Sequence, residues 1–309
     1  MRFSDNAYGG NVGNTNPWEA IKQFFRDNNI LGKLIMVNVG VWLILQLIDT
    51  FLWFFNSHLY PQIIQFISVH SDLGHLVTHP WTLITYMFVH EGFWHILFNM
   101  LWLYWFGKIF LQYLSERQLL AIYFIGGIGG ALFYILTFNI LPSFENVFHY
   151  SYAIGASASV MAIVTAIAFY VPNYRMHLMF LGPVKIYWIA IFFFVYDILN
   201  IRSGNAGGHL SHIGGALWGW FFVYSLRKGK DLTIGFSSFA EWFMGLFQKK
   251  NKKFKVSYSE GERFTDEEYN LQRNQNQAEI DKILDKIAKS GYNSLSKQEK
   301  EILFRASRK

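Results

Sequence analysis

The sequence contains no cysteine and few charged residues. Without cysteine, a disulfide framework, a thiol nucleophile and a cysteine-ligated zinc are all excluded. Charged residues make up 16% of the 309 residues, whereas a soluble domain usually has about a quarter. Nine basic and nine acidic residues precede Arg227, so the net charge of +6 comes entirely from residues 227–309. The first 226 residues therefore form an apolar body without a basic face, and we expect no nucleic-acid binding there.

Long apolar runs with few charged residues indicate membrane-spanning helices. A bilayer core of about 30 Å needs a helix of roughly 20 apolar residues. Six runs approach this length, at residues 34–55, 94–114, 119–141, 152–171, 184–201 and 208–226. The sequence therefore predicts an all-α polytopic membrane protein in a lipid bilayer, with an N-terminal segment 1–33, a six-helix membrane domain 34–226 and a tail 227–309.

The distribution of lysine and arginine predicts an orientation, because these residues favour the cytoplasmic side of a membrane. All but one of the basic residues near the helix ends fall on one side if both termini are cytoplasmic, and the exception is Arg202. Residues 1–33 contain no short apolar run typical of a cleaved signal peptide, and no transit peptide is visible. The sequence thus predicts a multi-pass protein of a bacterial cytoplasmic membrane with both termini in the cytoplasm.

The tail has a different character from the membrane domain. Aromatic residues recur at helical spacing over residues 236–247 and are followed by lysines, which suits a helix lying on an anionic membrane surface or a buried amphipathic helix. Further on, Gly291 is a plausible helix stop. Two capping-box pairs predict a small helical hairpin whose partner the sequence does not name: Thr265 with Glu268 and Ser296 with Glu299.

Polar residues within the predicted spans are the candidates for chemistry, because they are expensive in a membrane. Asn99, Ser157 and His212 each lie about five residues inside a helix that enters from the outer side, a depth of roughly 8 Å at 1.5 Å per residue. A hydroxyl, a base and a hydrogen-bond donor at one depth are the first requirements of acyl transfer. Each residue type also has a purely structural alternative. A serine can hydrogen-bond to a carbonyl of its own helix, and a histidine or an asparagine can form a hydrogen bond between two helices.

Metal chemistry is the other hydrolytic option. His90 and His95 are five residues apart, whereas the zinc-protease pattern H-E-x-x-H requires four. The remaining histidine cluster, His70, His75 and His79, lies in the outer connection 56–93 without a ligand signature, and we expect its side chains to be satisfied within that loop. The sequence therefore predicts neither a metal nor another cofactor.

The polar motifs resemble those of the rhomboid intramembrane serine proteases over roughly residues 34–226. They occur in the family's order on alternate spans. The motifs are His90 and His95-Ile-Leu-Phe-Asn99, then Gly155-Ala-Ser157-Ala, then His212-Ile-Gly-Gly215 with Gly219.

This resemblance implies a mechanism and a role for each motif residue. Ser157 would be the nucleophile and His212 its general base, without a cofactor. His95 and Asn99, together with the Ser157 backbone N–H, would form the oxyanion site. The supporting residues would be His90, Gly155, Gly215 and Gly219. Connection 56–93 would correspond to the family's half-submerged outer loop, and the substrates would be transmembrane or juxtamembrane segments of membrane proteins.

Three residues depart from the family pattern. Thr82 follows Trp81 where the family often has arginine, Ala158 follows Ser157 where it often has glycine, and Met161 stands where an aromatic side chain usually stacks on the base. A methionine can still pack on an imidazole through its sulfur. We therefore expect activity to survive these departures.

A third group usually orients the base of a serine hydrolase, and Asp197 near the outer end of the fifth span is a candidate. Solvation at the interface, or a hydrogen bond to a helix N-terminus, is the alternative for this carboxylate.

Two other functions stay open: a catalytically inactive rhomboid-like binder or chaperone of membrane proteins, and a channel or transporter. The latter would need broken helices or polar residues through the full depth.

Overall fold

The structure is a computed structural model that describes residues 29–147, 149–178, 182–236, 238 and 266–306. The chain divides into two compact units, Met1–Phe247 and Gln248–Lys309. The described part of the first unit is mostly helical. Its α-helices are α1 Ile30–Phe54, α2 Tyr60–Ile67, α3 Leu73–Thr78, α4 Thr82–Thr85, α5 Phe93–Tyr113, α6 Glu116–Ile140, α7 Ser157–Tyr170, α8 Ile186–Asn200 and α9 Ala206–Arg227.

Two of the described helices, α1 and α6, are long and apolar enough to cross a membrane by length and composition. The predicted spans 34–55, 94–114, 119–141 and 208–226 agree with α1, α5, α6 and α9 to within a few residues. Helices α7 and α8 are apolar but shorter, with 14 and 15 residues. The six-span arrangement therefore remains a prediction.

Helix α7 begins five residues later than the sequence predicts. The predicted span starts at residue 152, whereas the helix starts at Ser157 itself. Gly155 has φ +115°, which is incompatible with a right-handed helix, and Tyr152–Ala153 is extended. Fourteen residues give a helix of about 21 Å, so α7 is shorter than its neighbours α5 and α6, which have 21 and 25 residues.

The all-α prediction is also incomplete, because four short strands are present. Strands β1 Val69–His70 and β2 Tyr152–Ala153 pair antiparallel with Val69 opposite Ala153. Strands β3 Arg175–Leu178 and β4 Gly182–Lys185 pair antiparallel between α7 and α8. The β1–β2 pair joins the outer connection to the turn before Ser157, a contact between distant segments that helical periodicity does not predict.

Helix α7 lies at the centre of the first unit, where small residues allow close packing. Gly215 and Gly219 of α9 lie directly against the backbone carbonyls of Ala158 and Ala162. From another side, a Cβ at Gly130 of α6 would come within 2.7 Å of the Ala158 Cβ. The predicted glycine spacing for close helix approach is thus confirmed.

The second unit contains α10 Asp266–Ser290 and α11 Lys297–Ala306. Gly291, with φ +76°, follows the end of α10 as predicted. The predicted capping box is present: the Ser296 N–H donates to Glu299 at 2.6 Å and the Glu299 N–H donates to the Ser296 hydroxyl at 3.3 Å. The Lys286 ammonium and the Ser296 donors lower the pKa of the Glu299 carboxyl to about 2. Predictions for residues 239–247 and Thr265 fall outside the described residues.

Candidate functional site

Ser157 is the first residue of α7, and the turn before it is held from two sides. The Gly155 N–H donates to the Tyr86 carbonyl at 2.8 Å. The Ala156 N–H donates to the His90 Nε2 at 3.4 Å, and His90 is 1% exposed. These contacts connect the outer connection to the backbone immediately before the hydroxyl. His90 thus lies where the sequence predicts a supporting residue.

Ser157, Asn99 and His212 line one cavity of about 200 Å³. The same three residues, together with His95, also line a larger open cavity of about 850 Å³. Among the described residues, no hydrogen bond joins the Ser157 hydroxyl to the His212 imidazole. Ser157, Asn99 and His212 therefore line a common space that is large enough for several water molecules.

Ser159 occupies a different environment. Its side chain is fully buried, and its hydroxyl has no hydrogen-bond partner. It faces α6, where a Cβ at Gly127 would lie 2.5 Å from the Ser159 Oγ. Ser159 lines neither of the two cavities that contain Ser157. Of these two serines, Ser157 is therefore the one that lines the cavities.

His95 and Asn99 lie one turn apart on α5. The His95 Nδ1 accepts from the Glu91 N–H at 3.4 Å, so its Nε2 is the protonated nitrogen of the neutral ring. This Nε2 is directed at Gly155, where a Cβ would lie 2.9 Å from it. The Asn99 amide donates one N–H to the His95 carbonyl at 2.9 Å and retains a second. Both side chains can therefore offer an N–H near Ser157.

Asp197 of α8 accepts hydrogen bonds from two histidines of α9. Its Oδ1 lies 2.9 Å from the His212 Nδ1 and 2.8 Å from the His209 Nδ1. The carboxylate is 3% exposed. The sequence offered Asp197 only as one option for orienting the base, with solvation at the interface as the alternative. The burial excludes that alternative, because the carboxylate is satisfied by protein donors.

The same three residues are the one group within the described ranges whose donor atoms could hold a metal ion, all lying within 4.8 Å of one another. Two histidines and a carboxylate are a ligand set that zinc uses. Here the hydrogen bonds to Asp197 occupy the Nδ1 atoms that an ion would need.

The structure shows the surroundings of two of the residues that depart from the family pattern, Thr82 and Met161. The Thr82 hydroxyl donates to the His79 carbonyl at 2.7 Å, and the Trp81 Nε1 donates to the Phe66 carbonyl at 2.9 Å. These bonds anchor the outer connection where an arginine is absent. Met161 is 7% exposed and lines the smaller cavity beside His212. Its thioether therefore forms part of the wall near the imidazole.

The histidines of the outer connection form a stack. The ring centroids of His70 and His75 are 3.9 Å apart, and those of His75 and His79 are 4.2 Å apart. The prediction that these side chains are satisfied in the loop holds for His70, which lies 3.3 Å from the Gln65 carbonyl. It is wrong for His75, whose buried Nδ1 has no hydrogen-bond partner.

Sequence comparison assigns most of this unit to a described family. Residues 77–229 match the family model of the Rhomboid domain. Residues 265–309 match a second model, described as a family of unknown function (DUF6576).

Three curated relatives are similar to parts of the chain. RHOMBOID-like protein 12, mitochondrial, of Arabidopsis thaliana is 28% identical over 69% of this chain and 63% of its own length. Rhomboid protein 1, mitochondrial, of Saccharomyces cerevisiae is 24% identical over 54% of this chain and 48% of its own length. Rhomboid-like protein 16, chloroplastic, of Arabidopsis thaliana is 43% identical over 18% of this chain and 17% of its own length. The chain thus spans less than two thirds of the length of each of these relatives.

The names of these relatives contradict the predicted localisation. Two are named as mitochondrial and one as chloroplastic, whereas the sequence predicted a bacterial cytoplasmic membrane. The prediction was wrong because it relied on residues 1–33 showing no recognisable signal or transit peptide, and that pattern does not identify the membrane.

Proposed function

The chain belongs to the rhomboid family, and from this premise we propose that it is an intramembrane serine endopeptidase. One observation carries the proposal: Ser157 begins α7 and lines the same cavities as His212 and Asn99. A nucleophile, a base and an amide donor around one open space are what acyl transfer to a serine requires.

The proposed reaction starts with proton transfer. The His212 Nε2 accepts the Ser157 hydroxyl proton while the Ser157 Oγ attacks the carbonyl carbon of the scissile peptide bond. The resulting tetrahedral intermediate carries a negative charge on its oxygen. Collapse of the intermediate breaks the C–N bond, and His212 returns the proton to the leaving amine. Water then hydrolyses the acyl-serine by the same steps.

The oxyanion has several donors within reach. The backbone N–H of Ser157 is a free donor at the N-terminus of α7, where the helix dipole also favours negative charge. The His95 Nε2–H and the second Asn99 N–H complete the set. Each donor of this kind is worth about 3 kcal/mol of barrier. The helix start at Ser157 thus supplies both the nucleophile and one part of the oxyanion site.

We further propose that the unit is a six-span membrane domain and that its substrates are membrane proteins. Large apolar side chains are exposed on the outward faces of the helices, as on α8, where Phe192 is 63% and Leu199 75% exposed. Such surfaces suit lipid. A substrate helix has to unwind locally before its carbonyl can reach Ser157, because a regular helix shields its own amides. Segments containing glycine, alanine or serine near the membrane surface are the expected cleavage sites.

A second candidate is an inactive rhomboid-like binder or chaperone of membrane proteins. The observation that favours it is that no hydrogen bond joins Ser157 to His212 among the described contacts. Catalytic hydrogen bonds are often long in unliganded enzymes and tighten with substrate, so we prefer the protease.

The test is labelling of the purified full-length protein with a fluorophosphonate, together with cleavage of a reconstituted transmembrane substrate. We expect adduct formation at Ser157, located by mass spectrometry, and loss of both activities in Ser157→Ala and His212→Ala. Ser159→Ala is the matched control and should retain most of both. A folded wild-type protein that neither labels nor cleaves but binds the substrate would support the binder instead.

A further inference from the structure

Asp197 has an unusual position for a carboxylate in this molecule. It is the single acidic residue of α8, it is 3% exposed, and its hydrogen-bond donors are both histidines of α9. A buried carboxylate is costly unless it is hydrogen-bonded. Here one oxygen accepts from two ring nitrogens, one of which belongs to the residue assigned above as the base.

We propose that Asp197 is a positioning residue for His212, so that the site works as a serine–histidine–aspartate arrangement. This inference rests on the proposed function. The bond from the His212 Nδ1 to Asp197 requires the proton of the neutral ring to be on Nδ1. The lone pair is then on Nε2, the nitrogen that has to accept the Ser157 proton. Without Asp197, nothing in these contacts selects this tautomer.

The carboxylate also acts during the reaction. When His212 accepts the serine proton, its ring becomes cationic. A carboxylate oxygen 2.9 Å from the Nδ1 stabilises that cation in the transition state. Asp197 therefore acts on the rate of the chemical step and not on substrate binding.

His209 has a supporting place in this arrangement. Its Nδ1 lies 2.8 Å from the same oxygen, and its ring is one helical turn from His212 on α9. A second donor helps to satisfy the buried carboxylate and holds it at the end of α8 facing His212. Loss of His209 leaves the Asp197–His212 bond in place. We therefore expect His209→Ala to reduce the rate much less than any loss of Asp197.

The first experiment compares Asp197→Asn with the wild-type full-length protein in a cleavage assay that separates kcat from KM. We expect kcat to fall by about 100- to 10,000-fold, as for the corresponding change in other serine hydrolases, with KM within a factor of two. The rate of fluorophosphonate labelling at Ser157 should fall in parallel. Asp231→Asn is the matched control, because Asp231 bonds Thr233 and Gln118 and lines neither cavity.

Two further variants separate positioning from a structural role. Asp197→Ala should regain part of its kcat when formate is added, because a small carboxylate can fill the space left by the side chain. Asp197→Asn should lower kcat by a similar factor when it is combined with His209→Ala. Unchanged kcat in Asp197→Asn, or a loss of the same size in His209→Ala, would overturn the proposal.

A measurement on the unmodified protein covers the case in which the variants fail to fold. With ¹⁵N-labelled histidine, the His212 signal, assigned by its absence in His212→Gln, should show a protonated Nδ1 and an unprotonated Nε2. The opposite tautomer would refute positioning by Asp197. So would metal analysis that found one bound ion per chain, lost in Asp197→Asn. If the wild type itself neither labels nor cleaves, the proposed function fails, whatever the tautomer.

Discussion

Gly155 has a backbone conformation that other residues rarely adopt, and it lies against an imidazole. We expect Gly155→Ala to cost at least about 1 kcal/mol of stability through its φ of +115°. Its Cβ would also lie 2.9 Å from the His95 Nε2, so the ring has to move away from the oxyanion position. Peptidase rate and thermal unfolding, measured together, check both effects.

Gly182→Ala is the control for backbone strain alone. Gly182 also has a positive φ, +70°, but a Cβ there would meet nothing within 4 Å. Its stability should fall by a similar amount while its rate per folded molecule stays normal. Equal rates in the two variants would show that the His95 position does not matter for the reaction.

The serine and the histidines show how far single residues can be assigned from sequence. The family resemblance identified Ser157 as the nucleophile, and Ser157 lines the cavity while Ser159 is buried against α6. Asp197 remained one option among others, because it is 12 and 15 residues away from its two partners on another helix. Helical periodicity gives angles within one helix but not the rotation of one helix against the next.

Helix α9 is held against α7 by its glycines, and this packing places His212. A Cβ at Gly215 would collide with the Ala158 carbonyl. We expect Gly215→Ala to destabilise the protein by about 1–3 kcal/mol and to move His212 away from Ser157. The unfolding midpoint in detergent and the fluorophosphonate labelling rate measure the two consequences.

Gly40→Ala provides the comparison, because a Cβ at Gly40 of α1 would meet nothing within 4 Å. We expect stability and labelling close to those of the wild type. If Gly215→Ala behaved like Gly40→Ala, close packing of α9 on α7 would not determine the geometry of the site.

The histidine stack of the outer connection gives that segment a pH dependence. Burial, and then the charge of a neighbouring histidine, hold the pKa of both His70 and His75 below the usual 6.5. Between 6.5 and these lower values the unfolded state binds more protons than the folded state, so stability falls as the pH falls. We therefore expect a lower unfolding midpoint at pH 5.5 than at pH 7.5.

His75→Phe keeps the stacking and removes one titrating group, so its midpoint should decrease less between the two pH values. His58→Phe, at an exposed position of the same connection, should decrease as much as the wild type. A decrease of the same size in all three proteins would mean that the stack does not account for the pH dependence.

Along the whole chain, the residues proposed for the reaction all come before the second unit. Every residue proposed for the reaction precedes Arg227, and the second unit begins at Gln248. We therefore expect a protein truncated after Lys255 to keep most of its peptidase rate, because a small helical appendage tunes location or partners more readily than chemistry. The assay compares truncated and full-length protein at equal amounts of inserted protein. Complete loss of activity with normal insertion would make the tail part of the catalytic unit.

The sequence by itself determined the family, the mainly helical architecture, the order of the serine, histidine and asparagine motifs along the chain, and the end of α10 at Gly291. Each of these depends on local pattern or spacing, which a linear sequence carries. Only the tertiary structure decided that α7 begins at Ser157, that Ser159 faces α6, and that Asp197 contacts His212. These depend on the rotation and depth of one helix relative to another, which are set by close packing of small residues across the interface.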